Sequence, residues 1–110
     1  MREKHIDESI ILDTEGFQWD KGNEFKNWNK HKVTRLEAEQ VFLNRPILLL
    51  DDIKHSQNDK RHFALGQTDE ERKLFISFTI RGNLIRVISA RPMHKKEEKI
   101  YEQEETYTSI

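Results

Sequence analysis

The chain has 110 residues, no cysteine and a formal net charge of −1, with 35% apolar and 35% charged residues. That length sustains one hydrophobic core and not two, and the absence of cysteine excludes disulfide scaffolds, thiolate catalysis and cysteine-ligated zinc. The longest apolar run, Ile47-Leu48-Leu49-Leu50, falls far short of the roughly 20 residues that cross a bilayer, and the amino terminus has no signal-peptide core, so a cytoplasmic protein is expected.

From the amino terminus, residues 1–16 are polar apart from Ile10-Ile11-Leu12 and read as an extension, at most adding a short edge strand. Phe17-Gln18-Trp19 alternates as a brief strand, and Asp20 is a suitable N-cap for a helix to about His31. Gly22, Asn23, Asn27 and Asn29 are poor helix formers, so this helix is expected to rely on packing Phe25 and Trp28 against the body. Thr34 and Glu37 have capping-box spacing for a second helix, with Val33 and Ala38 as its hydrophobic staple, ending near Leu43. Asn44-Arg45-Pro46 breaks it, Ile47 to Leu50 reads as a buried strand closed by Asp51-Asp52, and residues 53–59 form a loop. Three strands follow, Arg61 to Gln67, Lys73 to Ile80 and Leu84 to Arg91, the last two joined by a tight turn at Gly82-Asn83. From Met93 the pattern is helical to about Glu105, leaving residues 106–110 as a flexible tail.

The turn predicts which side chains share a face. Arg81 pairs with Leu84, Thr79 with Arg86 and Ser77 with Ile88; the opposite face carries Leu74, Ile76, Phe78, Ile80, Ile85 and Val87, joined by Phe63 and Leu65, and is the expected core. The polar face, with Ser77, Thr79, Arg86 and His62, is a candidate binding surface or simply a solvated one.

Charge is distributed unevenly. Residues 1–20 hold two basic and six acidic groups and residues 97–110 one and five, leaving 16 basic against nine acidic between 21 and 96. The segment Arg81 to Lys96 alone has Arg81, Arg86, Arg91, Lys95 and Lys96 and no acidic residue, concentrated where a strand runs into a helix. A cationic body suits a polyanion such as nucleic acid, although well-dispersed charge on a soluble protein gives the same counts.

The order of short motifs is recognisable: Phe17-x-Trp19-Asp20, Asn27-x-x-Lys30-His31-x-Val33, Glu37-Ala38-x-x-Val41-Phe42, Asp52-x-x-His55-Ser56, Arg61-x-x-Ala64-Leu65-Gly66, Arg86-x-Ile88-Ser89-Ala90-Arg91-Pro92, then Glu97 and Tyr101. Together, over residues 17 to about 103, they resemble the BrnT family of bacterial toxins. The resemblance implies a RelE-like α+β fold, with a small antiparallel sheet, two N-terminal helices and a C-terminal helix, in a domain spanning residues 17–105. It further implies a metal-independent endoribonuclease without cofactor, neutralised by a BrnA-like ribbon-helix-helix antitoxin through which alone the toxin would reach operator DNA. Lys32 stands where the family often has a helix-terminating glycine, Arg35 where an aromatic is frequent, and the extension lies outside the pattern.

Cleaving RNA without a metal needs a base near the 2′-hydroxyl, positive charge on the non-bridging phosphate oxygens and a proton donor for the leaving oxygen. Arg61, Arg86 and Arg91 are candidates for the charge, each with a structural salt bridge as the competing role. Glu97 and Tyr101, four apart, and His94 fall along one side of the last helix and could supply base and acid; equally, Met93, Ile100 and Tyr101 could dock that helix while Glu97 pairs Arg91 or Lys96. The expected catalytic set is Arg61, Arg86, Arg91, Glu97 and Tyr101; His55, His62, Ser89, Lys95 and Lys96 are expected to bind RNA, and no metal ligand is expected. Trp19 and Trp28 could stack on bases but read more readily as core. The rival to an enzyme is a non-catalytic RNA- or protein-binding module of the same fold.

Overall fold

A computed structural model describes residues 8–55 and 60–108, with side chains of the last helix described as far as Gln103. The expected loop at 53–59 and tail at 106–110 therefore fall partly outside it, as do residues 1–7 of the extension. The elements run α1 (Ser9–Leu12), β1 (Gly16–Gln18), α2 (Lys21–His31), α3 (Arg35–Leu43), β2 (Leu48–Asp52), a 3₁₀ turn (Ile53–His55), β3 (Arg61–Gln67), β4 (Lys73–Arg81), β5 (Leu84–Pro92) and α4 (Lys95–Thr108). The fold is α+β, as expected. Its five strands lie in the order β1-β5-β4-β3-β2, and β1 joins β5 in parallel, so the sheet is mixed rather than wholly antiparallel.

Local chemistry sets the element ends. Asp20 Oδ1 accepts from the N–H groups of Gly22 (2.7 Å) and Asn23 (3.3 Å) to start α2. The reciprocal capping box of Thr34 and Glu37 starts α3. The Gly82-Asn83 turn pairs Arg81 with Leu84, Thr79 with Arg86 and Phe78 with Val87. Beyond that pair the register differs from expectation: a bulge leaves Ile88 unpaired, and Ser77 meets Ser89.

Two apolar clusters sandwich the sheet. The larger joins Val41 and Phe42 of α3 to Leu74, Ile76, Phe78, Ile85 and Val87, with Ile11 of α1 buried among them. The smaller lies under α4, where Leu48, Leu50, Leu65, Met93 and Tyr101 pack with Phe63 and Phe75. Phe63 and Leu65 thus face α4, not the main core as their size suggests. β3 instead turns His62, Ala64 and Gly66 toward α3, because His62 pairs with Phe78, Ala64 with Ile76 and Gly66 with Leu74. Small residues are required there: a Cβ on Gly66 would lie 2.7 Å from Val41 Cγ1.

α2 lies along the edge of β5 and uses its asparagines, not its aromatics, to dock. β1 pairs only with Leu84, Ile85 and Arg86, so the rest of β5 has no strand on that side. Asn23 Nδ2 donates to Val87 O (3.4 Å) and Asn27 Oδ1 accepts from Ala90 N–H (3.1 Å), supplying the backbone partners a neighbouring strand would have given. Phe25 and Trp28, expected to pack on the body, are 68% and 49% exposed. Trp19 is partly buried against the core, its Nε1–H donating to Glu39 (2.8 Å).

Candidate active site

The registers align one polar row across all five strands: Asp52 on β2, Arg61 on β3, Thr79 on β4, Arg86 on β5 and Gln18 on β1. Partners in register point to the same face, so Arg61 and Arg86 flank Thr79 with their Cα atoms roughly 10 Å apart, two strand spacings. The next row is Leu50, Phe63, Ser77 and Ser89, and the one after it Leu48, Leu65, Phe75 and Arg91. α4 covers the apolar end of this face through Tyr101 and Ile100.

The row is internally tied. The Thr79 hydroxyl donates to Lys60 O (2.7 Å) and is buried. Arg86 Nη2 reaches Asp20 Oδ2 at 3.2 Å, so one carboxylate both caps α2 and steadies the arginine. Asp52 is buried and accepts from the His55 N–H (3.2 Å) and from Nδ1 (2.9 Å). With a carboxylate on Nδ1 that nitrogen carries the proton, leaving Nε2 of the exposed ring as the proton acceptor. A buried acid that holds an imidazole and two arginines therefore fall in one row across one sheet face.

Arg91 and Glu97 form a separate cluster. Across the bulge, Arg86 and Arg91 pair with Thr79 and Phe75, four residues apart on β4, so they stand about 13 Å apart at strand rise. Its guanidinium donates to both Glu97 oxygens at 2.8 Å and lies 4.2 Å from the Phe75 ring centroid. Glu97 Oε1 also accepts the His94 N–H (2.8 Å) at the start of α4. Burial works to raise the Glu97 pKa, but the hydrogen bonds from Arg91 and His94 and the arginine charge outweigh it and hold the carboxyl below its usual range. A carboxylate so stabilised is a weak base. Of the two roles expected for Glu97, pairing with Arg91 is the one the geometry supplies.

The remaining expected residues divide clearly. Tyr101 is fully buried and donates to Pro46 O (2.7 Å), which leaves its hydroxyl no reach to a substrate. His62 is not on the polar face: it is 5% exposed, packed on Phe78 and bonded through Nδ1 to Asp51 (3.0 Å), on the side of the sheet opposite the arginine row. Ser89 is half-buried in the row between the two clusters, and Lys95 and Lys96 are exposed at the start of α4. Among the described residues, no three His, Asp or Glu side chains group as a metal site requires.

Residues 19–97 match the family described as the ribonuclease toxin BrnT of type II toxin-antitoxin systems. The chain belongs to the BrnT family. A 1.1 Å crystal structure of the Brucella abortus ribonuclease toxin BrnT superimposes with a TM-score of 0.56 and 21% identity, covering 74% of this chain and all of that one. No protein of curated function matches. Membership in BrnT makes the protein a toxin with endoribonuclease activity, with an antitoxin as partner and RNA as substrate. Among the described residues, no helix is long and apolar enough to cross a membrane.

The pairing of Asp52 with His55 escaped the reading of the sequence although the two sit three apart, a spacing that one helical turn brings together.

Proposed function

We propose that this BrnT toxin cleaves RNA without a metal, at the row formed by His55, Asp52, Arg61, Thr79 and Arg86. The observation that carries the reading is the register that aligns Asp52, Arg61 and Arg86 on one face, with the His55 imidazole held on the buried Asp52 carboxylate. In this reading His55 Nε2 takes the proton of the 2′-hydroxyl, whose oxygen attacks the adjacent phosphorus. Arg61 and Arg86 neutralise the non-bridging oxygens, where charge develops. The leaving 5′-oxygen takes its proton from solvent, which reaches the exposed His55 ring. Ser89, Lys95 and Lys96 hold the strand on the α4 side of the scissile bond, and Arg91 with Glu97 fixes the turn from β5 into α4 rather than touching phosphate. The neutralising partner is a BrnA-like ribbon-helix-helix antitoxin, and the pair, not the toxin alone, binds operator DNA in the cytoplasm. That part rests on the family's motif order.

Cleavage of a purified RNA in the presence of EDTA tests the reading. Activity should persist, Arg61→Ala and Arg86→Ala should each lower it by about 10²-fold, and His55→Gln by about 10²-fold or more. Folded Arg61→Ala and Arg86→Ala proteins with full activity, beside a folded but inactive Arg91→Ala, would move the site to the corner.

A further inference from the structure

α2 carries a stripe that neither the fold nor the proposed cleavage row uses. Lys21, Phe25, Trp28 and Lys32 fall at i, i+4, i+7 and i+11, so they share one side of the helix, about 16 Å long. All four are exposed. At 100° per residue this side is opposite the Asn23 and Asn27 side that docks on β5, so the two rings point away from the body. Large exposed aromatics on a helix whose other side does the packing call for a partner.

Charge says which partner. From Lys21 to Arg35 there are five basic residues, Lys21, Lys26, Lys30, Lys32 and Arg35, and a single acidic one, Glu24 among the side chains that contact solvent before the Glu37 of the next helix. The Lys32 ammonium stands 5.2 Å from the Trp28 ring centroid. It gets there through an unfavourable backbone: Lys32 ends the helix at φ 53°, ψ 42°, a left-handed conformation that glycine adopts at no steric cost. Arg72 holds this end rigid by donating to the carbonyls of His31 (3.1 Å) and Lys32 (2.8 Å). The stripe also adjoins the cleavage row, because Asp20 at the start of α2 is the residue paired with Arg86.

We propose that the Lys21-Phe25-Trp28-Lys32 stripe is a stacking platform for single-stranded RNA, gripping bases of the substrate outside the cleavage row. Flat exposed rings bracketed by ammonium groups suit bases and the phosphates between them, and such stacking tolerates any base. The proposal rests on RNA being the substrate of the adjoining row, and its test reads binding rather than cleavage, so it stands or falls apart from the assignment of Arg61, Arg86 and His55.

The probe is a short 2′-O-methylated oligouridine, which has no free 2′-hydroxyl to be cut, with affinity measured by fluorescence anisotropy across a salt series. Trp28→Leu keeps a good helix former and an apolar side chain but cannot stack; it should weaken binding about tenfold, as should Phe25→Leu. Lys32→Gly should move two readouts in opposite directions: the melting temperature rises as the left-handed strain goes, while affinity falls and the salt slope shallows by about 0.7. A residue that merely ends a helix would not lose affinity as it gains stability. Unchanged oligouridine affinity in the three folded variants would overturn the proposal, and so would variants that keep that affinity but lose capture by the antitoxin, since the stripe would then be the protein partner's surface.

Discussion

Gly66 shows how one missing side chain decides the use of a whole strand. With Val41 Cγ1 at 2.7 Å from where its Cβ would stand, α3 and β3 approach too closely for any larger residue. Gly66→Ala must therefore push the helix away, and overpacking of that kind costs typically 1–3 kcal/mol, several degrees of melting temperature in a domain this size. Thermal melts check it; an unchanged midpoint would mean that α3 shifts at no cost. At this scale the sequence was informative about residue type and silent about commitment. Arginine chemistry singled out Arg61, Arg86 and Arg91 alike, yet Arg91 is engaged by both oxygens of Glu97 and the Phe75 ring, a state set by tertiary distances that spacing does not encode. Trp28 and Phe25 depart from expectation for a related reason: hydrophobicity says that a ring favours burial, not whether the fold leaves it a place to be buried.

Elements with their own local signals were legible, and phase between elements was not. The capping residues Asp20 and Thr34, and the Gly82-Asn83 turn, set α2, α3 and the β4–β5 hairpin where the spacing predicts them. No tight-turn signal separates β3 from β4, so nothing local distinguished the side of Phe63 and Leu65 from the side of Ala64 and Gly66. α2 inverted the usual logic, since asparagines that weaken a helix were what the open edge of β5 required. The corner between β5 and α4 yields a pH prediction. Glu97 and Glu37 both have pKa values depressed in the folded protein; burial opposes this in each, overcome by Arg91 and the His94 N–H in one and by the Thr34 N–H and Arg72 in the other. Groups depressed on folding contribute stability above the unfolded carboxylate range and lose it as pH falls through the folded pKa. His31 adds in the same direction, because burial and the charges of Lys30, Arg91 and Lys26 disfavour its protonated form. The melting temperature should therefore fall on acidification, and Glu97→Gln should flatten the acid limb while lowering stability at neutral pH. An acid limb identical to that of the parent protein would show that the Arg91 pair contributes nothing.

Across the whole molecule, the family match begins at residue 19, yet the core does not. Ile11 is buried among the residues under α3, Ile10 packs beside it, and Glu8 reaches Arg45 at 2.8 Å. Glu15 N–H donates to Asn83 O (2.7 Å), tying the incoming chain to the β4–β5 turn before β1 pairs with β5. A polar, acidic segment outside the family pattern reads as dispensable, because three apolar residues in a row, Ile10-Ile11-Leu12, give no sign of what they meet. The structure makes it part of the fold: α1 closes the end of the main core beside Phe42 and Ile85. Removing residues 1–14 should thus expose apolar surface that the remaining 96 residues cannot cover, a correction to the expectation of a free extension. Loss of a buried isoleucine to alanine costs about 2–5 kcal/mol, so Ile11→Ala alone should account for much of the effect, whereas Leu12→Ala, at an exposed position of the same turn, should be nearly silent. Denaturant midpoints of the three variants decide it. A truncated chain as stable as the full one would show that Ile11 only rests on a core already closed without it.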